Sequence, residues 1–216
     1  MTSTVGFLHT AAVHESTFTG LVEDVAPGMH TSHLVDESLL ADARTRGGVD
    51  EDIGDRLLAR LREAAIGADV IVCTCSTISG AAEARAEQIG VPVIRVDRPM
   101  AEAAVAAGAR IAVVAALAST LGPTTELLRE VATSAGSSLQ ITEYTGTDAW
   151  ASFERGDQAG YLRSIAATVD AIPGPVDAIV LAQASMAGAV ERCRADVPVF
   201  SSPRLAVERA VHVISI

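Results

Sequence analysis

The chain has 216 residues, of which 49% are apolar but only 3% aromatic, and a net charge of −11. That length can bury a good core as one domain or as two small lobes, and the Ala- and Val-rich composition suits helices packed closely on a parallel sheet. The acidic balance argues against nucleic acid or an anionic membrane as partner, since both demand a basic face, and no apolar run reaches the length of a membrane span.

The amino terminus lacks the basic region of a signal peptide and leads straight into a strand over residues 5–9, ending in His9 and Thr10. Residues 11–22 hold a loop and a helix, and Pro27-Gly28 makes a turn. A second strand over 31–35 stops at Asp36-Glu37-Ser38, and a polar linker through Arg46-Gly47-Gly48 is expected to follow. A helix over about 51–65 carries apolar residues at 53, 57, 58 and 61. Residues 69–73 form a short, fully buried parallel strand. Ser76, Thr77 and Ser79 are N-cap types, and residues 80–88 read as the helix behind them. Residues 91–96 are a strand with Pro92 near its start, where proline is tolerated, and Pro99 opens a helix over 100–107.

The second half runs likewise. A strand over 110–116 meets a polar turn at 117–124, followed by a helix to 135. A strand over 139–144, a short helix from 147 and a longer one over 158–171 come next. The strand before Gln183, a helix to 194, a strand over 197–201 and a closing helix from Pro203 finish the chain. Alternating strands and helices mark parallel sheets with helices on both faces.

The halves repeat one another. Asp69-Val-Ile-Val-Cys-Thr-Cys-Ser-Thr-Ile-Ser-Gly80 recurs as Asp177-Ala-Ile-Val-Leu-Ala-Gln-Ala-Ser-Met-Ala-Gly188, so Cys75 falls on Gln183. Val91-Pro92-Val93-Ile94 answers to Val197-Pro198-Val199-Phe200, and Val5-Gly6-Phe7-Leu8 to Ile111-Ala112-Val113-Val114. A repeat of half the chain predicts two pseudosymmetric α/β lobes, residues 1–97 with 204–216 and residues 98–203. Each is expected to be a parallel sheet flanked by helices, with the site in the cleft between them.

Cys75 lies where a strand hands over to a helix, at the end of the sheet where open α/β folds bind ligands. Free N–H groups of a helix start favour anions, a thiolate included. Cys73 lies inside the apolar run and reads as structural. Three cysteines, the third being Cys193, point to a reducing cytoplasm rather than a disulfide framework, and their spacing does not suit a metal site. Of the five histidines, His14, His30 and His212 read as surface or loop residues and His33 as a hydrogen-bonded core histidine. His9 and Asp36 end strands and are the candidates for a second acid or base. Thr10, Ser76, Thr77, Ser119, Thr120, Thr124 and Ser185 lie at or just beyond strand ends, where hydroxyls and helix starts can cradle a small carboxylate. No glycine-rich dinucleotide loop, phosphate loop, zinc-binding helix or serine elbow is present.

Residues 71–77, Ile-Val-Cys-Thr-Cys-Ser-Thr, resemble the Cys-Asn/Ser-Thr segment of the aspartate/glutamate/hydantoin racemase superfamily, which includes arylmalonate decarboxylase and maleate isomerase. Residues 178–183 resemble its second cysteine segment, and residues 115–124 its threonine-rich carboxylate-binding turn. The resemblance implies two pseudosymmetric lobes, no cofactor, no metal and a small carboxylate bound between the lobes. In two-cysteine members one thiolate removes the α-proton and the other thiol supplies a proton to the opposite face. Cys75 matches the first cysteine, and Gln183, with no useful acid or base, replaces the second. The expected activity is therefore that of a lyase or isomerase acting on a small carboxylic acid through one cysteine, as proton donor or nucleophile, and an enolate-like intermediate. Gln183 then donates a hydrogen bond where the second thiol would be. A racemase using His9 or Asp36 as second base is one alternative, and a non-catalytic carboxylate-binding protein another. Oligomeric state is open, though a homodimer through a helical face fits the composition.

Overall fold

The computed structural model describes residues 3–216; the expectation about the amino terminus falls partly on residues 1–2, outside the described residues. The chain divides into two compact units, residues 1–96 with 203–216 and residues 97–202. The first contains β1 (Thr4–His9), α1 (His14–Val25), β2 (His30–Val35), α2 (Glu37–Arg46), α3 (Glu51–Ala64), β3 (Val70–Cys73), α4 (Ser76–Glu83) and β4 (Val93–Arg95). The second contains α5 (Arg98–Ala107), β5 (Arg110–Ala115), α6 (Ala118–Ser134), β6 (Gln140–Thr145), α7 (Thr147–Glu154), α8 (Gln158–Asp170), β7 (Ala178–Leu181) and β8 (Val199–Ser201). Short 3-10 stretches cover Ala86–Gln88 and Ala184–Arg192, and α9 (Ser202–Ile214) returns the chain to the first unit.

Each unit holds a four-stranded, wholly parallel sheet, in the order β2-β1-β3-β4 and β6-β5-β7-β8. The central strands are apolar because both faces are covered. In the first unit Val5, Phe7, Val70 and Val72 pack against Phe18 and Val22 of α1 and Ala206, Val207 and Ala210 of α9. On the other face Leu8, Ile71 and Cys73 meet Leu39 and Ala43 of α2, Ile53, Leu57 and Leu61 of α3, and Ile78 and Ala82 of α4. In the second unit one face of the sheet packs on α8 through Tyr161, Leu162, Ile165 and Val169.

The repeat is physical. Asp69 accepts from the Thr4 N–H at 2.8 Å and returns its own N–H to the Thr4 carbonyl at 2.9 Å. Asp177 does the same with Arg110, at 2.8 and 2.7 Å. Each aspartate thus sets the register of a central strand pair at its amino end, and Asp177 adds an ion pair with the Arg110 guanidinium that holds its carboxyl down at about 2.

Four expectations need correction. The polar stretch after Asp36 is a helix, α2, not a linker. It buries only Leu39 and Ala43, too few for a clear periodicity, but Asp36 caps it through the Ser38 N–H and Gly47, at φ 77°, ends it. The helix after Cys75 begins at Ser76 and ends at Glu83, rather than spanning 80–88, because Cys75 is its extended N-cap and its carbonyl takes the first helical bonds from Ile78 and Ser79. The polar turn at 117–124 belongs mostly to α6, which accommodates Pro123 at its sixth residue, close to the end where proline does least harm. The segment after Gln183 is 3-10 and stops at Arg192.

Gly6 marks a close approach of the sheet to helix backbone. A Cβ there would stand 2.9 Å from the Ala64 carbonyl oxygen and 3.0 Å from the Ala68 Cβ. The equivalent residue of the second unit is Ala112, so the constraint belongs to the first unit alone. Gly6→Ala is expected to lower stability by about 1–3 kcal/mol, the usual penalty of overpacking against backbone. Urea unfolding reads this as a lower midpoint at unchanged slope; an unchanged midpoint would mean that α3 can retreat from β1 at no cost.

Candidate active site at the strand ends

In both sheets the connections leave the central pair in opposite directions, so the switch point lies between β1 and β3 in one unit and between β5 and β7 in the other. Crevices beyond the carboxyl ends of such pairs are where open parallel sheets bind ligands. In the first unit the residues there are Thr10, Thr74 and Cys75. The last ladder bond runs from the Thr74 N–H to the Leu8 carbonyl at 3.0 Å, and Cys75 follows in extended conformation as the N-cap of α4. Among the described residues no side-chain hydrogen bond caps this helix at Cys75. The N–H groups of Thr77 and Ile78 and the hydroxyls of Thr10 and Thr77 lie around its sulfur and favour the thiolate. Ser79 braces the turn from behind, its hydroxyl reaching the carbonyls of Cys73 at 2.8 Å and Cys75 at 2.7 Å.

Burial pushes the Cys75 thiol up, against the pull of these four donors. The resting group is therefore a neutral thiol with donors nearby that favour its conjugate base. Thr10 and Ser76 are buried and Thr77 half-buried around it. Cys73 lies in the core below, fully buried. Among the described residues none of the three cysteines is in a disulfide, and no cluster of His, Cys, Asp and Glu could hold a metal ion.

His9 is fully buried on the sheet face that carries Phe7 and Phe18, stacked on Phe7. Its partners define its tautomer. The Thr74 hydroxyl donates to the Leu8 carbonyl at 3.1 Å, so its oxygen accepts the His9 Nδ1–H at 2.8 Å. His9 Nε2 is then an acceptor and takes the Nδ1–H of His33 at 2.9 Å, while His33 Nε2 accepts from the Thr19 hydroxyl at 2.9 Å. Burial first, then the neighbouring His33 and His14, lower His9 from its ordinary 6.5 to about 3. Asp36 caps α2 and takes the Arg60 guanidinium at 2.9 Å. Burial would raise its carboxyl, but bonds from Ser38 and Arg60 outweigh this and hold it below the usual carboxylate range. Neither His9 nor Asp36 is among the groups that bond the Cys75 sulfur.

In the second unit Gln183 occupies the place of Cys75. Its Oε1 accepts the N–H groups of Ala116, at 2.7 Å, and Leu117, at 3.1 Å, tying β7 to the β5–α6 turn. The Thr120 hydroxyl turns back to the Leu117 carbonyl at 3.0 Å, and Ser119 is exposed on the first turn of α6. Thr124 is fully buried, and its hydroxyl has no hydrogen-bond partner among the described residues. The Ser185 hydroxyl pairs with Tyr161 at 2.8 Å, and the Tyr161 hydroxyl is pushed up to about 12, chiefly by burial. Nothing in the sequence points to Thr74 and Tyr161 as partners of His9 and Ser185. Each contact joins side chains far apart in sequence, and no local pattern announces it.

The histidine array carries a sign. An unfolded chain takes a proton on His9 below about 6.5, whereas the folded one refuses it until about 3. Its contribution is thus present above pH 6.5 and is lost as pH falls towards 3, at no more than ~1.4 kcal/mol per pH unit. In nitrogen-resolved NMR at pH 5, His9 is expected as the neutral Nδ1–H tautomer; an imidazolium signal there would contradict the assigned chain of bonds.

A sequence model of the Asp/Glu/Hydantoin racemase family matches residues 10–210. No curated protein matches the chain in sequence. Among solved structures, the aspartate racemase of Picrophilus torridus is similar at a TM-score of 0.74 and 14% identity, over 99% of this chain and 94% of that one. A glutamate racemase isoform from Bacillus anthracis gives 0.66 and 15%, over 99% and 82%. A mutant of arylmalonate decarboxylase with associated sulfate gives 0.60 and 17%, over 98% and 93%. At such identities the likeness speaks for the fold, while the match over nearly the whole length speaks for descent: the chain belongs to the Asp/Glu/hydantoin racemase family.

Proposed function

We propose that this member of the racemase family is a cofactor-independent lyase or isomerase of a small carboxylic acid, with the neutral thiol of Cys75 as proton donor to an enolate-like intermediate. The observation that carries the reading is the Cys75 sulfur, protonated by burial yet surrounded by donors from Thr10, Thr77 and Ile78. In a decarboxylation, the bond to the departing carboxylate breaks and its electron pair passes into the enolate. The S–H bond then breaks and a C–H bond forms at the α-carbon, while the carbonyl is restored. The thiolate left behind is held by the four donors until water reprotonates it. Such preorganised donors stabilise charge where it develops and need no rearrangement at that moment. The resting neutral thiol favours proton delivery over nucleophilic addition, because addition to a double bond begins with a thiolate. Thr10, Ser76 and Thr77 are the candidates for substrate oxygens in the first unit, and Ser119, Thr120, Thr124, Gln183 and Ser185 in the second. The reading implies a cytoplasmic protein; among the described residues no helix is long and apolar enough to cross a membrane.

Turnover is tested by screening malonates, maleate and amino acids in deuterated water. Cys75→Ala is expected to lower kcat by at least ~10³-fold, within the range ascribed to general acid–base catalysis, and to keep the circular dichroism spectrum of the parent. Full activity in that variant would sink the proposal.

The Thr10 hydroxyl offers a finer test. It lowers the thiol pKa, so Thr10→Val is expected to raise it and to shift the pH profile of Cys75 alkylation upward. Mass spectrometry resolves Cys75 from Cys73 and Cys193 in the same experiment. An unmoved profile would remove Thr10 from the account.

Racemisation with a second base is the rival favoured by the names of the similar structures. It requires α-carbon deuterium exchange from both enantiomers of an amino acid. The engagement of His9 with Thr74 and His33, and of Asp36 with Ser38 and Arg60, weighs against it.

A further inference from the structure

Two consecutive backbone N–H groups converge on one oxygen at the β5–α6 turn, and that oxygen is Oε1 of Gln183. The arrangement fixes more than the turn. Rotating the carboxamide by half a turn would set its two N–H donors against the donors of Ala116 and Leu117, so only one orientation is stable. Nε2 must therefore point away from the turn. Among the described residues no protein acceptor takes a hydrogen from it, and Gln183 is half-buried, within reach of a ligand. The first unit uses the equivalent place differently, for there Thr10 donates to a thiol that can give up a proton.

We infer that Gln183 is a specificity-determining residue: the Ala116 and Leu117 amides lock its carboxamide so that Nε2 presents N–H donors to a carboxylate or carbonyl oxygen of the ligand. This deepens the proposed function and rests on its reading of the ligand as a small carboxylate. A carboxamide neither gives nor takes a proton in the physiological range, so the second unit recognises an oxygen and does not exchange hydrogen with carbon. The ligands selected are those that bring an oxygen acceptor to the end of β7, small dicarboxylates foremost.

The bland alternative is that Gln183 only fastens β7 to the turn. Gln183→Glu separates the two. A glutamate oxygen can accept both backbone N–H groups, so the fastening survives, but the donor at Nε2 becomes an acceptor. Malonate and maleate are titrated by calorimetry into the full-length protein and the variant, with melting temperatures measured alongside. The expected result is an unchanged or higher melting temperature with malonate affinity weakened at least tenfold. Equal affinity in the variant, or no binding of either dicarboxylate by the parent, overturns the inference. Should the variant fail to fold, the parent alone decides. Malonate should shift the Gln183 side-chain amide pair in nitrogen–proton NMR and leave the Ala116 and Leu117 backbone amides in place. A silent Gln183 pair, or displaced backbone amides, counts against the inference. Binding does not depend on proton delivery, so an active Cys75→Ala variant would defeat the catalytic proposal and leave this result standing.

Discussion

An N–H group withdrawn from water needs an acceptor, and the end of a buried parallel strand followed at once by a helix has several to satisfy. Both units meet this demand at the switch point of their sheets, with different chemistry. In the first, the thiol of Cys75 lies over the N–H groups of Thr77 and Ile78. In the second, the carbonyl of Gln183 takes those of Ala116 and Leu117. One backbone solution yields a group that can lose a proton, the other a group that cannot. The asymmetry of the proposed chemistry is this single exchange, set in otherwise repeated scaffolds.

Beneath the thiol, the order of the strand ends depends on neutral polar contacts. Thr74 bonds the Leu8 carbonyl and His9, and His9 bonds His33, so the segment carrying Cys75 is tied to the ends of β1 and β2. The imidazoles stack with Phe7 in an apolar layer that penalises charge. A histidine held this way serves as a hydrogen-bonding strut. A residue at the end of a central strand can thus be polar and still sit in an apolar layer: successive side chains alternate, so Thr10 lies on the Cys75 side and His9 on the other.

Much of the fold was legible in the residues. The runs Val-Ile-Val-Cys and Ile-Val-Leu declare buried strands, and the matched Asp69 and Asp177 declare a repeat whose physical content is a shared cap on the central strands. Cys75 stood out because it lies just past such a run, before a helix. Less visible were α2, whose apolar face is two residues wide, and the true start of α4, where the N-cap position holds a cysteine rather than a hydroxyl residue. His9 ends β1 and Asp36 follows β2. Place alone could not reveal that one has its ring nitrogens engaged and the other supports a cap and an arginine.

The sequence by itself determined the α/β class, the half-chain repeat and the match of Gln183 to Cys75, because these rest on local hydrophobic pattern and on identity at matched positions. Only the tertiary structure decided the protonation of Cys75, the tautomer of His9 and the orientation of the Gln183 carboxamide. Each depends on hydrogen-bond partners 24 to 67 residues away, or on the depth of burial, and neither is written in the neighbouring residues.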